Sequence, residues 1–176
     1  MIDFSRNHFE LFGLPQRFRL DMDSLDRAYR ALQGEVHPDR HAGGTDAEQR
    51  LALQSSARVN EAYAALREPV ARAQYLLSLH GIDAFAETDT ALPHDFLECQ
   101  LERREVAGDA VAARDAARLK SLAAEVRVEA TRREERLATR LDAEGAWESA
   151  RADVRELRFL AKLAADVDAM QSELEE

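Results

Sequence analysis

Residues 21–66 read DMDSLDRAYRALQGEVHPDRHAGGTDAEQRLALQSSARVNEAYAAL, and the fold is decided by this stretch. In its first part Leu25, Ala28, Tyr29, Leu32 and Val36 recur at helical spacing, which places them on one face turned toward a core. Arg27 and Arg30 fall on the opposite, solvated face. Asp21 or Asp23 is available as the N-cap. Pro38 ends the helix, because a proline drives the residue before it out of the helical region. After a loop from His41 to Gly44, Thr45 and Glu48 form a capping box, so a second helix starts there. Its apolar stripe is Leu51, Ala52, Ser55, Val59, Ala62, Tyr63 and Leu66. Two amphipathic helices joined by a short connection run antiparallel, which leaves His37, Pro38 and Asp39 at the bend between them.

Helical periodicity continues in both directions, and strand signals are almost absent. Upstream, Phe9 to Leu14 predicts a short helix or turn closed by Gly13 and Pro15. Downstream, Pro69 suits the first turn of a further helix, which carries Tyr75, Leu76, Leu77 and Leu79 and is capped by Gly81. An irregular acidic stretch, residues 82–92, reads as a linker between a domain at 1–81 and one at 93–176. Three more helices are predicted at about 93–106, 109–141 and 146–174, with Gly108 and Gly145 at the turns. Leu119, Leu122, Val126, Ala130, Leu137 and Leu141 form the seam of the second of these. Trp147, Ala150, Val154, Leu157, Ala161 and Ala164 form the seam of the third. Such seams and short turns predict a three-helix bundle. The fold class is all-α: a helical hairpin with an HPD loop, followed by a three-helix bundle.

Composition narrows the class of function. The chain has 176 residues, 45% hydrophobic and 33% charged, with a net charge of −10. From Met1 to Gly81 there are 10 basic and 11 acidic residues, and from Ile82 onward 14 and 23. An excess of negative charge repels phosphate backbones, which argues against a nucleic-acid partner. No apolar run approaches the length needed to span a bilayer, and Met1 to Asn7 lacks the features of a secretory signal. The single cysteine, Cys99, forbids an intramolecular disulfide and suits a reducing compartment. The expectation is a cytoplasmic protein with no membrane partner.

The residue types at the bend suit recognition better than catalysis. Pro38 stiffens the backbone and lowers the entropy lost on docking. Asp39 offers a carboxylate that can pair bidentately with an arginine of a partner, and His37 offers a ring donor at the same edge. Arg27, Arg30 and Arg40 add positive charge that steers toward an acidic surface. Two other readings stand beside this one. In the first, the tripeptide is an ordinary proline-containing turn whose Asp39 caps the next helix. In the second, His37, Asp39 and His41 bind a metal, a set short of ligands and without rigid spacing across Pro38. Elsewhere the carboxylates alternate with arginines at helix-surface spacing, as solvated faces and i,i+4 pairs do. No enzyme chemistry, metal site or cofactor is expected; His8, His80 and His94 read as surface or helix-end residues rather than ligands, and Cys99 is assigned no role.

An HPD bend between two capped helices, preceded by Phe9-Glu10-Leu11-Phe12-Gly13-Leu14-Pro15, resembles the J-domain. The stretches from Arg67 to Leu77 with Ser78 to Gly81, from Phe96 to Glu105, and from Leu157 to Leu163 resemble the HscB family over essentially the whole chain. The resemblance implies a co-chaperone that stimulates the ATPase of the DnaK-like chaperone HscA and delivers the iron–sulfur scaffold protein IscU to it. The alternative is a general J-domain co-chaperone for unfolded clients. The resemblance further implies that the scaffold docks on the outer face of the bundle at Leu97, Leu101, Glu102, Glu105 and Phe159. On a helical wheel Phe159 lies about 150° from its predicted seam, a position exposed unless another surface covers it. Two departures from the family pattern stand out. Glu98 occupies a usually apolar position, and Gly34-Glu35-Val36 replaces a more basic run before the motif, which implies weaker docking to the chaperone.

Overall fold

A computed structural model of the chain describes residues 2–41, 43–86 and 92–175. Among them every regular element is helical, the all-α architecture expected, and the chain divides between Leu79 and His80 into two compact units. The first holds α1 (His8–Leu11), α2 (Met22–Val36), a 3-10 turn (Pro38–His41), α3 (Asp46–Arg67) and α4 (Pro69–Leu79). Asp21 caps α2 by accepting the Asp23 amide. The Thr45–Glu48 capping box starts α3 as the sequence predicts. Leu25 and Val36 of α2 are buried along with Ala52, Val59, Ala62 and Leu66 of α3. Phe9, Phe12, Phe18, Ala73, Leu76 and Leu77 complete this core. A fully buried side chain of leucine size contributes roughly 1.5–3 kcal/mol.

Polar groups fix how these helices meet. Tyr29 stacks on Tyr63 with ring centroids 4.0 Å apart. The Tyr63 hydroxyl donates to Asp26 (2.8 Å) and the Tyr29 hydroxyl to Asn60 (3.0 Å), which joins α2 to α3 outside the apolar stripe. At the α3–α4 corner the buried Arg72 donates to the Leu66 carbonyl (2.6 Å) and lies over the Phe18 ring. That carbonyl belongs to the last turn of α3 and has no partner within its own helix.

The second unit contains α5 (His94–Ala112), α6 (Ala116–Ala138), a π turn (Thr139–Glu144) and α7 (Trp147–Glu175). Two sequence expectations are corrected here. Gly108 does not mark a turn: α5 runs through it, carried by Ala107 and Ala110, which are buried on either side. The chain turns at Arg114, whose φ is +51°, and Asp115 caps α6 by accepting the Arg118 amide (2.9 Å). The predicted seam of α7 holds at Ala150, Val154 and Leu157, but Ala161 is exposed and Leu160, Leu163 and Val167 are buried instead. The C-terminal half of α7 meets both α5 and α6, so it buries a wider face than a two-helix seam requires. Gly145 ends the π turn in the left-handed conformation, φ +63°, which glycine adopts without strain. Of residues 82–92, expected as a linker, Ala84 is buried and accepts a hydrogen bond from Arg155 Nε (2.7 Å). Residues 87–91 lie outside the described residues.

Antiparallel register of α6 and α7 is locked by buried charge. Asp153 and Glu156 are 1% and 5% exposed. Asp153 pairs with Arg136 and, at 2.6 Å, with Arg140, while Glu156 pairs with Arg133 and, at 2.9 Å, with Arg136. Arg140 also donates to the Ser149 carbonyl (2.9 Å). These carboxylates raise the Arg136 pKa against the opposing effect of its burial. Removing one partner of such a network leaves an uncompensated buried charge, at about 3–5 kcal/mol. Asp153→Ala is therefore expected to lower the unfolding free energy of the second unit by up to that much, measured by urea unfolding. An effect below about 1 kcal/mol, the range of surface pairs, would contradict the arrangement.

His8, the first residue of α1, is buried, and its ring stacks on Tyr75 at 3.9 Å. Burial, assisted by the Arg58 guanidinium and opposed by Glu61, holds its pKa below the ordinary imidazole value. Folding therefore favours the neutral ring. Between the lowered folded pKa and the unfolded value near 6.5, the unfolded chain binds more protons, so stability falls as pH drops below about 6.5. His8 Nδ1 has no hydrogen-bond partner, so His8→Phe loses no bond there. This variant is expected to flatten the acid limb of a pH–stability curve between about pH 7 and 5; a limb as steep as that of the parent would refute the assignment.

Candidate partner-binding surfaces

Consider first the bend after α2. The Arg40 amide donates to the His37 carbonyl (3.0 Å) and closes the 3-10 turn. The Asp39 amide donates to His37 Nδ1 (3.3 Å), which leaves Nε2–H as the donor of the ring. The His37 and Asp39 side chains are 54% and 90% exposed. Asp39 does not cap α3, because Thr45 does. The ordinary-turn reading thus loses the role it gave this carboxylate, which is exposed to water with one oxygen 3.6 Å from His37 Nδ1. The side chains of Pro38 and His41 lie outside what the structure describes.

Arg40 bends back, and its Nη1 donates to the Gly34 carbonyl (2.7 Å) in the last turn of α2. A cation there also favours the negative end of the helix dipole. Arg27 and Arg30 are exposed; Arg27 is drawn toward the start of α2 by Ser24 Oγ (2.8 Å) and Asp21 (3.7 Å). At 100° per residue, Arg27, Arg30 and Gly34 share one face that leads to the turn, while Glu35 stands about 140° around from Arg30. Glu35 lines a separate cleft with Asp3 and Arg6, so its negative charge is turned away from the arginine face.

The second surface lies on the bundle. Leu101 and Leu97 are 63% and 39% exposed, although both are large and apolar. Going around α5 from its buried face, the helical angle places Arg104, Leu97, Leu101, Glu105 and then Glu102 in succession. The leucines thus sit between α7 on one side and an acidic edge on the other. Phe159, expected on an outer face, is half-buried: it meets Phe96 edge-on at 5.8 Å and lies under the Arg104 guanidinium at 5.2 Å. The shifted α7 seam is the physical reason, since it brings Phe159 to the α5 boundary. Phe159 therefore joins Leu97 on one margin of α5, whereas Glu102 faces away from it.

Residues that the sequence did not single out complete this margin. Phe85, Arg158 and Lys162 line a cleft of about 330 Å³ together with Arg104 and Phe159. The four-residue interval from Arg158 to Lys162, one helical turn beside Phe159, was the available signal. At the start of α5, His94, Asp95 and Glu98 bring ligand atoms within 4.8 Å of one another, all exposed. Cys99 is half-buried. No helix among the described residues is long and apolar enough to cross a membrane.

Comparison with known proteins matches both units. A family model described as the DnaJ domain covers residues 7–75, and one described as the HSCB C-terminal oligomerisation domain covers residues 92–168. The co-chaperone protein HscB homologs of Burkholderia multivorans and Burkholderia cenocepacia are 49% and 48% identical, over 99% of both chains in each case. The solved structure of chaperone HscB from Vibrio cholerae superposes with a TM-score of 0.86 at 36% identity, covering 96% of this chain and 99% of its own. Human co-chaperone HscB gives 0.84 at 26% identity, covering 95% and 83%. Matched in both halves and along its whole length, the chain belongs to the HscB family of J-domain co-chaperones, which serve a DnaK-like chaperone.

Proposed function

We propose that this protein is a two-site adaptor of iron–sulfur cluster assembly. The first unit stimulates ATP hydrolysis by an HscA-type chaperone, and the second presents an IscU-type scaffold to it. His37, Pro38 and Asp39 are the contact that triggers hydrolysis. Arg27 and Arg30 steer the approach, and Arg40 holds the turn in place. The scaffold docks on Leu97, Leu101 and Phe159, with Glu102 and Glu105 along its edge. The protein performs no covalent step and requires no cofactor; it operates in the cytoplasm.

One observation carries this reading: the two compact units each expose what an isolated protein has no use for. The first presents a carboxylate and an imidazole on a stiff turn. The second presents Leu97 and Leu101. Joining both contacts in one chain raises the effective concentration of the scaffold at the chaperone, so neither contact need be tight alone. A general J-protein for unfolded clients would need a broad apolar surface, whereas these leucines are bordered by Glu102 and Glu105.

ATP turnover by the HscA-type chaperone, measured with and without scaffold, tests the proposal. The parent protein should accelerate turnover, and more so when the scaffold is present. His37→Gln and Asp39→Asn should abolish the acceleration without altering scaffold affinity. Arg40→Ala should reduce it in part and lower the stability of the first unit by about 0.3–1 kcal/mol, the range for a cation at a helix C-terminus. Leu101→Asp should remove only the scaffold-dependent increment. Acceleration that survives both turn variants would refute the role given to the HPD bend. Stimulation of a housekeeping DnaK with no response to scaffold would favour the general J-protein.

A further inference from the structure

Five of the fourteen basic residues of the second unit pair with its own carboxylates. Arg127 meets Asp168, Arg132 and Arg133 meet Glu129, and Arg133, Arg136 and Arg140 meet the buried pair Asp153 and Glu156. Arg104, Arg158 and Lys162 are not among these five, and they gather in one place. Among the described residues none of the three makes an ion pair, although acidic residues outnumber basic ones 23 to 14 from Ile82 onward. All three are exposed, and all line one cleft.

The cleft is built from two aromatic walls. Arg155 Nε holds the Ala84 carbonyl at 2.7 Å and so fastens residues 84–86 to α7. Phe85 stands on that segment, with the Arg158 guanidinium 4.3 Å from its ring centre. Phe159 forms the other wall, under Arg104. A guanidinium resting on a ring is held flat by cation–π attraction, so its N–H edge meets a carboxylate with little further loss of freedom. Lys162 supplies a third positive charge one turn along α7. The space between is about 330 Å³, enough for one large side chain.

We propose that this cleft anchors an acidic segment of the scaffold client, its carboxylates pairing with Arg104, Arg158 and Lys162 while an adjacent apolar side chain enters between Phe85 and Phe159. The inference rests on the reading that the scaffold docks on the Leu97–Leu101 face, and it extends that face across Phe159 onto α7. Charge complementarity selects the occupant, since three cations with no ion pair among the described residues, set around an apolar cleft, favour carboxylates and disfavour a basic or purely apolar segment. The client then meets a surface divided by charge, with the acids Glu102 and Glu105 on the α5 side and cations on the α7 side. Such an arrangement sets the orientation of docking as well as its strength.

Titration of the full-length protein with an IscU-type scaffold at two salt concentrations tests this. Arg158→Gln/Lys162→Gln should weaken binding about tenfold and reduce its salt dependence. Lys162→Gln alone, a side chain with no hydrogen bond or ion pair among the described residues, should show the same direction with an unchanged melting temperature. Unaltered affinity and salt dependence in both variants would overturn the inference. If Leu101→Asp abolishes binding while the cleft variants bind like the parent, the docking face stands and only the cleft assignment falls. If the parent protein does not bind scaffold at all, the partner reading falls, and the cleft assignment with it.

Discussion

Arg40 reaches back 2.7 Å to the carbonyl of Gly34, and that bond ties the HPD turn to the last turn of α2. An α-helix leaves its last four carbonyls without internal partners, and a chain of helices joined by tight turns must satisfy them with side chains or water. Pro38 stops α2, the 3-10 turn begins at once, and Arg40 is the first side chain past Asp39 able to reach back. Arg72 does the same for Leu66 at the end of α3, there in a buried setting over Phe18. Arg140 and Arg155 hold the carbonyls of Ser149 and Ala84. Nearly all of the 24 basic residues are arginine, Lys120 and Lys162 being the lysines. A planar guanidinium with several donors suits this work better than an ammonium group.

Burial of charge performs a different task in the bundle. Asp153 and Glu156 lie where an apolar residue would also fit, on the α7 face against α6. An apolar pair would tolerate a slip of one turn along the helix axis, because hydrophobic contact is non-directional. A carboxylate shared between Arg136 and Arg140 does not, since a shifted register would strand it. With the N-terminal half of α7 held in this way, its C-terminal half is free to meet two helices. The seam widens there and Phe159 arrives at the boundary with α5.

The two candidate surfaces follow from these constraints and are built differently. At the HPD bend the backbone is stiffened and the polar side chains are left in water, which suits a contact that must form and release. On the bundle, exposed leucines, a half-covered aromatic and stacked guanidiniums lie together on rigid helices, which suits recognition of one client. Each surface uses residues that its own unit positions, so the contacts proposed for chaperone and client draw on different groups.

Helix positions, the HPD bend and the Thr45–Glu48 start of α3 were legible because each depends on residues within about one or two turns of one another, the range over which periodicity and capping act. So was the buried stripe of α6, which packs mainly on one neighbour. Gly108 misled, because a glycine ends a helix only where nothing packs beyond it, and Ala110 packs. The position of Phe159, the return of Arg40 to Gly34, and the gathering of Phe85, Arg104, Arg158 and Lys162 around one cleft were decided by the tertiary structure. Those residues are distant in sequence or belong to different elements. Their meeting depends on which faces α5 and the Ala84 segment cover, and on a register set by the buried charges of Asp153 and Glu156. A single-helix wheel contains neither: the sequence by itself determined the local elements and their apolar stripes, and packing between elements decided which surfaces remain for a partner.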